Sequence, residues 1–271
     1  MRTILILKSK QLTASGASAK LKQHYQLTQM KYPSTVIAYE GASMLTGEPI
    51  VMILTGLENP SSNVKTGQMV QAVVLDALLK PTEAVKAGTD ENVCGDCPLK
   101  RGICYVNLIP FNGVFKAYSE GRTPYITQDV LERAKVKRQK LRITAYGDPS
   151  AVPIEIWESL LEYFENHTGY THQWRNLNTQ AWAGRLMASV ETKEGFSQAK
   201  EAGWSTFRVR NEGELLLPGE IECPNIKNPS IQCANCRLCA GNNQRQRHIS
   251  VEAHGLTHKQ KAFASLTTAQ Q

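Results

Sequence analysis

Every cysteine of this chain falls in one of two short segments, and that distribution constrains the fold more than any other feature. Cys94, Cys97 and Cys104 lie in VCGDCPLKRGICY, while Cys223, Cys233, Cys236 and Cys239 lie in IECPNIKNPSIQCANCRLCAG. Thiolates are preferred ligands of soft metals, so each segment reads as a metal loop that the surrounding fold must hold in shape. The total of seven is odd and cannot pair off completely as disulfides. The start, MRTILILKSKQL, has too short an apolar run for a signal segment, and no stretch approaches a membrane span. The expectation is a soluble, cytoplasmic protein with no membrane partner, in a reducing compartment where CxxC pairs favour metal over disulfides.

With 271 residues, 41% of them hydrophobic, the chain can bury a real core. Apolar patterning predicts strands at residues 4–7, from Thr35, and over Pro49–Leu57, then a helix over Gln68–Lys80 stopped by Pro81. Helices are expected around Phe111–Glu120 and 127–139. From there strands (Leu141–Tyr146, 168–174, 185–192, 205–210, and finally Ile249–Ala253) alternate with helices over Ile154–Phe164 and Glu194–Ala202 and a short helix or loop at Leu177–Gly184. Repeated strand–helix–strand units imply parallel strands with right-handed crossovers. The expected fold is α/β, a parallel-stranded partial barrel or open sheet, with a C-terminal cysteine-rich metal-binding segment. Composition divides the chain into 1–92 (N-terminal strands and helix), 93–215 (core with the first cysteine group) and 216–271 (cysteine-rich segment and tail). The tail beyond Lys261 carries too little apolar surface to pack and is expected to fray.

In such folds ligands gather at the carboxyl ends of the strands. Polar residues cluster there: Gly147 and Asp148, then Thr171, His172 and Gln173, then Ser189 and Glu191, then Arg208 and Arg210. Parallel strands are usually apolar throughout, so this set marks a functional rim. His172, Gln173, Glu191, Arg208 and Arg210 are the candidates for holding a substrate, the arginines being suited to phosphate or carboxylate. Lys65-Thr66-Gly67, at the expected helix start, is a weak anion-binding signal. The formal charge is +7, with a local excess in RAKVKRQKLR. Arg133, Lys135, Lys137, Arg138 and Lys140, joined by Arg245 and Arg247, would contact phosphates of a nucleic-acid or nucleotide partner, unless the run is simply a solvated helix face. A hydrolytic triad finds little support: no GxSxG elbow occurs and no cysteine stands apart from the two groups.

Cys233-x2-Cys236-x2-Cys239 with the remote Cys223-Pro224 suits a four-cysteine iron–sulfur cluster, with structural zinc as the competing reading. The upstream set has three thiolates. With zinc the vacancy would fall to His248, His254 or Asp96; with a four-iron cluster one iron stays open to a cofactor or substrate. A shared zinc site of Cys94, Cys97, Cys233 and Cys236 is a further arrangement.

A three-cysteine loop ahead of successive parallel strands resembles the plan of the radical S-adenosylmethionine enzymes over roughly residues 93–240. Ala145-Tyr146-Gly147-Asp148-Pro149 is similar to that family's glycine-rich motif after the second strand, and MASVET, with Ser189 and Glu191, to its polar cofactor-contacting strand. The resemblance implies a reducing cluster on Cys94, Cys97 and Cys104, cofactor contacts from Gly147, Asp148, Ser189 and Glu191, and an auxiliary cluster on the downstream cysteines. Two features depart from the family: the Cys-x2-Cys-x6-Cys spacing, and the helix expected between the strand at 49–57 and the cysteines. The joint occurrence of VCGDCP, AYGDP and a C-terminal CxxC group also resembles a cysteine-rich family of phages and mobile elements. That resemblance implies a nucleic-acid or nucleotide partner.

Overall fold

The computed structural model describes residues 32–61, 63–100, 102–176, 179–242 and 246–269, so the strand expected at 4–7 and Arg245 lie outside the described residues. Nine strands form one sheet in the order β1-β2-β3-β4-β5-β6-β7-β9-β8, crossing both segment boundaries drawn from composition. β1 (Thr35–Ala42), β2 (Pro49–Thr55) and β3 (Val70–Asp76) are an antiparallel meander. From β3 onward every pairing is parallel: β4 (Lys140–Tyr146), β5 (Asn166–Thr171), β6 (Met187–Val190), β7 (Thr206–Arg210) and β9 (His248–Glu252), with the short β8 (Glu220–Glu222) on the far edge. The fold is therefore α/β with a mixed, mostly parallel sheet. No helix among the described residues is long and apolar enough to cross a membrane.

The helices fill the crossovers. Between β3 and β4 come α1 (Pro81–Ala87), α2 (Glu91–Cys94), α3 (Ile109–Ser119) and α4 (Gln128–Val136). α5 (Ile154–Leu161), α6 (Thr179–Ala183) and α7 (Lys193–Glu201) follow β4, β5 and β6 in turn. α8 (Pro224–Lys227) and α9 (Cys233–Cys236) lie between β8 and β9, and α10 (Thr257–Ala269) ends the described chain. Local chemistry sets several starts: Thr127 and Thr192 cap α4 and α7 through side-chain oxygens that accept from Val130 N and Gly195 N.

Two expectations are corrected. Residues 68–80 are not a helix: Val70–Asp76 is a strand buried between β2 and β4, with Val73, Val74 and Leu75 fully enclosed. A strand covered on both faces has no alternation to display, so its apolar run mimics a helix stripe. Pro81 opens α1 rather than closing a helix, because its missing N–H costs nothing in a first turn. The tail also packs: α10 buries Phe263 and Thr267, 3% and 2% exposed. The core is continuous from β1 to β6, with Ile50–Leu54 of β2 completely buried and Trp157 and Leu160 of α5 part of it.

Candidate functional site

The first cysteine set begins where α2 ends, one short helix after β3. What holds it there is the carboxyl end of β4. Gly147 has φ +83°, and a Cβ at this position would stand 2.9 Å from both the Val74 carbonyl oxygen and the Val74 Cβ. Only glycine accepts both the backbone shape and the approach, which lets Asp148 N donate to Val93 O at 2.6 Å. Gly147→Ala is accordingly expected to lose about 2–4 kcal/mol in a urea melt, from left-handed strain plus overpacking; a loss below about 1 kcal/mol would contradict this account.

The residues expected at the rim of β4, β5 and β6 do converge, largely on one another. Asp148 Oδ1 accepts from Ser150 N (3.0 Å), Ser150 Oγ (2.8 Å) and Thr171 Oγ1 (2.8 Å), and Oδ2 accepts from His172 N (2.9 Å). Its carboxylate thus ties the end of β4 to the end of β5. Gln173 Nε2 donates to Asp96 Oδ1 at 2.6 Å and to Cys94 O at 3.4 Å, clamping the cysteine loop from β5. His172 donates Nε2–H to Glu191 Oε1 (2.7 Å), which leaves Nδ1 facing Cys97 Sγ at 3.3 Å. Burial lowers the His172 pKa, but the Glu191 carboxylate and Cys97 outweigh it and raise it well above the ordinary imidazole value.

Cys94, Cys97 and Cys104 line one cavity of about 120 Å³, together with Gly147, Asp148, His172 and Ser189. Burial, reinforced by the neighbouring cysteines, pushes the Cys94 thiol well up, and burial raises Cys104 too. Tyr146 Oη, in the same wall, is buried without a hydrogen-bond partner among the described residues. Three soft donors and an orphaned hydroxyl donor fit a bound group that is cationic at its metal and accepting at its periphery.

The four downstream cysteines line a separate small cavity with Thr168 and Tyr170. Cys223 leaves β8 with its N–H donating to Ser250 O, and Cys239 O accepts from Gly169 N of β5. α9 docks by backbone bonds from Cys233 N to Lys65 O and Ala234 N to Thr66 O, both 3.0 Å. Lys65-Thr66-Gly67 therefore starts no helix; it is the cradle of the second cysteine loop. Burial raises the Cys239 thiol, a Tyr170 hydrogen bond lowers it, and the other cysteines raise it again. The two sets line different cavities, which lends no support to a shared zinc site of Cys94, Cys97, Cys233 and Cys236. Among the described residues no three ligating side chains as they stand surround a common point closely enough to enclose a metal ion.

Between the sets lies a larger cavity of about 460 Å³, bordered by Tyr105 and Leu99 on one side and by Cys223 and Cys233 on the other. From β7 it receives Phe207 and Val209, not Arg208 and Arg210. Strand alternation sends those arginines to the opposite face. There Arg208, with no exposed side-chain surface, clasps Glu220 through Nε and Nη2, both 2.8 Å, and reaches Glu214. Arg210 bonds Glu222 at 2.8 Å and Glu252. The arginine that does border the cavity, beside Lys65 and Lys259, is Arg142 of β4, concealed in the sequence by the basic run it closes.

That run is mostly paired. Arg133 and Lys137 bond Glu58 at 2.6 and 2.8 Å, Arg138 and Lys140 face Glu165, and Lys135 lies 5.5 Å above the Tyr163 ring. Neither histidine expected near the first set is there: His248 bonds Thr206 Oγ1 at 3.0 Å, and His254 meets Lys65 Nζ at 3.2 Å. The neighbour is His172, which sequence spacing gave no means of choosing. Compared with protein-family models, curated proteins and solved structures, the chain finds no match.

Proposed function

We propose that this chain is an iron–sulfur enzyme of the radical S-adenosylmethionine type. Cys94, Cys97 and Cys104 would ligate its reducing cluster, and Cys223, Cys233, Cys236 and Cys239 a closed supporting cluster. One observation carries the reading: the incomplete cysteine set lies at the carboxyl ends of successive parallel strands, and its cavity shares Arg142, Tyr170, Phe207 and Val209 with the larger one. The strand at Val70–Asp76 adds support, because the strand that leads to the cysteines is β3 and not residues 49–57. A partial barrel fits as well. Arg142 of β4 and Val251 of β9 would stand about 19 Å apart in a flat sheet, four strand spacings, yet they border one cavity.

When bound, such a cluster would supply one-electron reductive cleavage of a C–S bond of S-adenosylmethionine, with methionine as the leaving group, as the source of hydrogen-atom abstraction chemistry. The chain's own residues do the holding. Gln173 and Gly147 fix the loop, and His172, backed by Glu191, faces the Cys97 sulfur. Gly147 and Ser189 border the space left for the cofactor, whereas the Asp148 carboxylate is occupied by four donors.

A second reading, a zinc-held fold without redox chemistry, is favoured by His172. It completes a Cys3His set, and its bond to Glu191 is the support that metal-bound histidines commonly receive. A nucleic-acid partner draws no support from the paired basic run. Anaerobic purification with metal analysis separates the two. The iron–sulfur reading expects a brown protein with about eight irons per chain. A colourless protein with about two zincs would sink it in favour of the second.

A further inference from the structure

We propose that the cavity of about 460 Å³ between the two cysteine sets binds a small molecule bearing a carboxylate or phosphate on a flat apolar body, with Arg142 as the anchor of its anionic group. This deepens the enzymatic reading by naming its substrate class, though the binding itself does not depend on either cluster. The volume falls in the range of small-molecule sites.

Arg142 borders both this cavity and that of Cys94, Cys97 and Cys104, and its guanidinium has no hydrogen-bond or ion-pair partner among the described residues. A half-buried guanidinium without a carboxylate is uncommon, since its planar fork matches carboxylate and phosphate bidentately. Elsewhere on the sheet the corresponding charges are satisfied: Arg208 has Glu220 and Glu214, and Arg210 has Glu222 and Glu252. Glu222 and Glu252 are also the two carboxylates bordering the cavity, and Arg210 already bridges them. Lys65 and Lys259 stand at the same wall, the first against His254 and the second donating to Cys104 O. The rest of the wall is mainly aromatic and aliphatic, with Asn63, Thr66, Thr168, Asn225 and Gln260 as its neutral polar groups. Tyr170 and Phe207 lie with centroids 4.5 Å apart, and Tyr105 sits 6.2 Å from the His254 ring. A guanidinium without a partner among the described residues, in a wall that also carries Tyr105, Tyr170 and Phe207, suits a ligand with an anionic end and an unsaturated or aromatic body.

The test is calorimetric titration of the metal-loaded full-length protein, as purified anaerobically. The probes are phenyl phosphate, benzoate, benzyl alcohol and inorganic phosphate. At least one aromatic anion is expected to bind in the millimolar range or tighter, at least tenfold better than benzyl alcohol. Arg142→Gln is expected to weaken it at least tenfold, with metal content and melting temperature unchanged, while the exposed-site control Arg122→Gln keeps full affinity. Phenyl phosphate against benzoate reads which anion is preferred, and inorganic phosphate reads the contribution of the rings. Binding of the alcohol equal to the anions, unchanged affinity in Arg142→Gln, or no aromatic anion binding at 10 mM, about the weakest useful affinity for so small a ligand, would each overturn the proposal. So would complete competition by S-adenosylhomocysteine, which would assign Arg142 to the cofactor. Metal analysis of the same samples reports separately on the cluster reading, so either can fail while the other stands.

Discussion

If the proposed iron–sulfur reading holds, replacing Cys104 with alanine is expected to abolish cleavage of S-adenosylmethionine and to lower iron from about eight to about four atoms per chain, leaving the downstream cluster spectroscopically intact. The expectation rests on the separation of the two sets: Cys104 shares its cavity with Cys94 and Cys97, while Cys223, Cys233, Cys236 and Cys239 line another. Gln173 and the Gly147 turn hold the loop around Cys94 and Asp96, and Cys104 itself is held through its backbone carbonyl by Lys259, a contact that the substitution keeps. The substitution should remove a ligand without unfolding the rim. Cys236→Ala is the complementary variant and should spare the upstream cluster. Iron and sulfide analysis with electron paramagnetic resonance reads both. Undiminished cofactor cleavage in Cys104→Ala would refute the ligand assignment, and equal iron loss from both variants would refute two independent sites.

The second large effect concerns stability. Arg208→Met is expected to cost about 3–5 kcal/mol, because it strands the Glu220 carboxylate with no exposed side-chain surface and no countercharge. Glu220 Oε2 also accepts from Leu217 N at 2.7 Å, so part of its hydrogen bonding survives, but the charge does not lose its desolvation penalty. The double variant Arg208→Met with Glu220→Leu should recover most of that loss, since replacing both members of a buried pair is often near neutral. Urea titration of the two variants makes the comparison. A single variant as stable as the parent but unable to bind ligand would return Arg208 to a substrate-holding role.

The contrast between Arg208 and Arg142 shows what the sequence could and could not tell. Period-two alternation in TFRVR announces two faces but does not say which is turned to the cavity, and the apolar pair Phe207 and Val209 took it. Arg142 was hidden because its neighbours in the basic run are surface residues engaged with Glu58 and Glu165. From β4 to β7 the alternation of elements was legible, since α5 and α7 are amphipathic, whereas β8 and the helices after it were too short or too polar to announce themselves. β3 was not, because both of its faces are buried, Ala72 to Leu75 completely, so it shows no polar face. The convergence of Asp148, Thr171, His172 and Gln173 followed from their places at strand ends. Their mutual bonding did not: it depends on side-chain directions that only the folded sheet fixes.

The inversion of the last two strands has a consequence for how the molecule is assembled. β8 precedes β9 in the chain but lies outside it, and its sheet neighbour is β9. Until the C-terminal strand has slotted in beside β7, residues 220–222 have nothing to pair with, and Cys223, whose N–H is received by Ser250 O, has no fixed address. Cys233, Cys236 and Cys239 can dock earlier, on Lys65, Thr66 and Gly169. The placing of Cys223 beside the other three sulfurs thus depends on the same strand, β9, that joins β8 to the rest of the sheet.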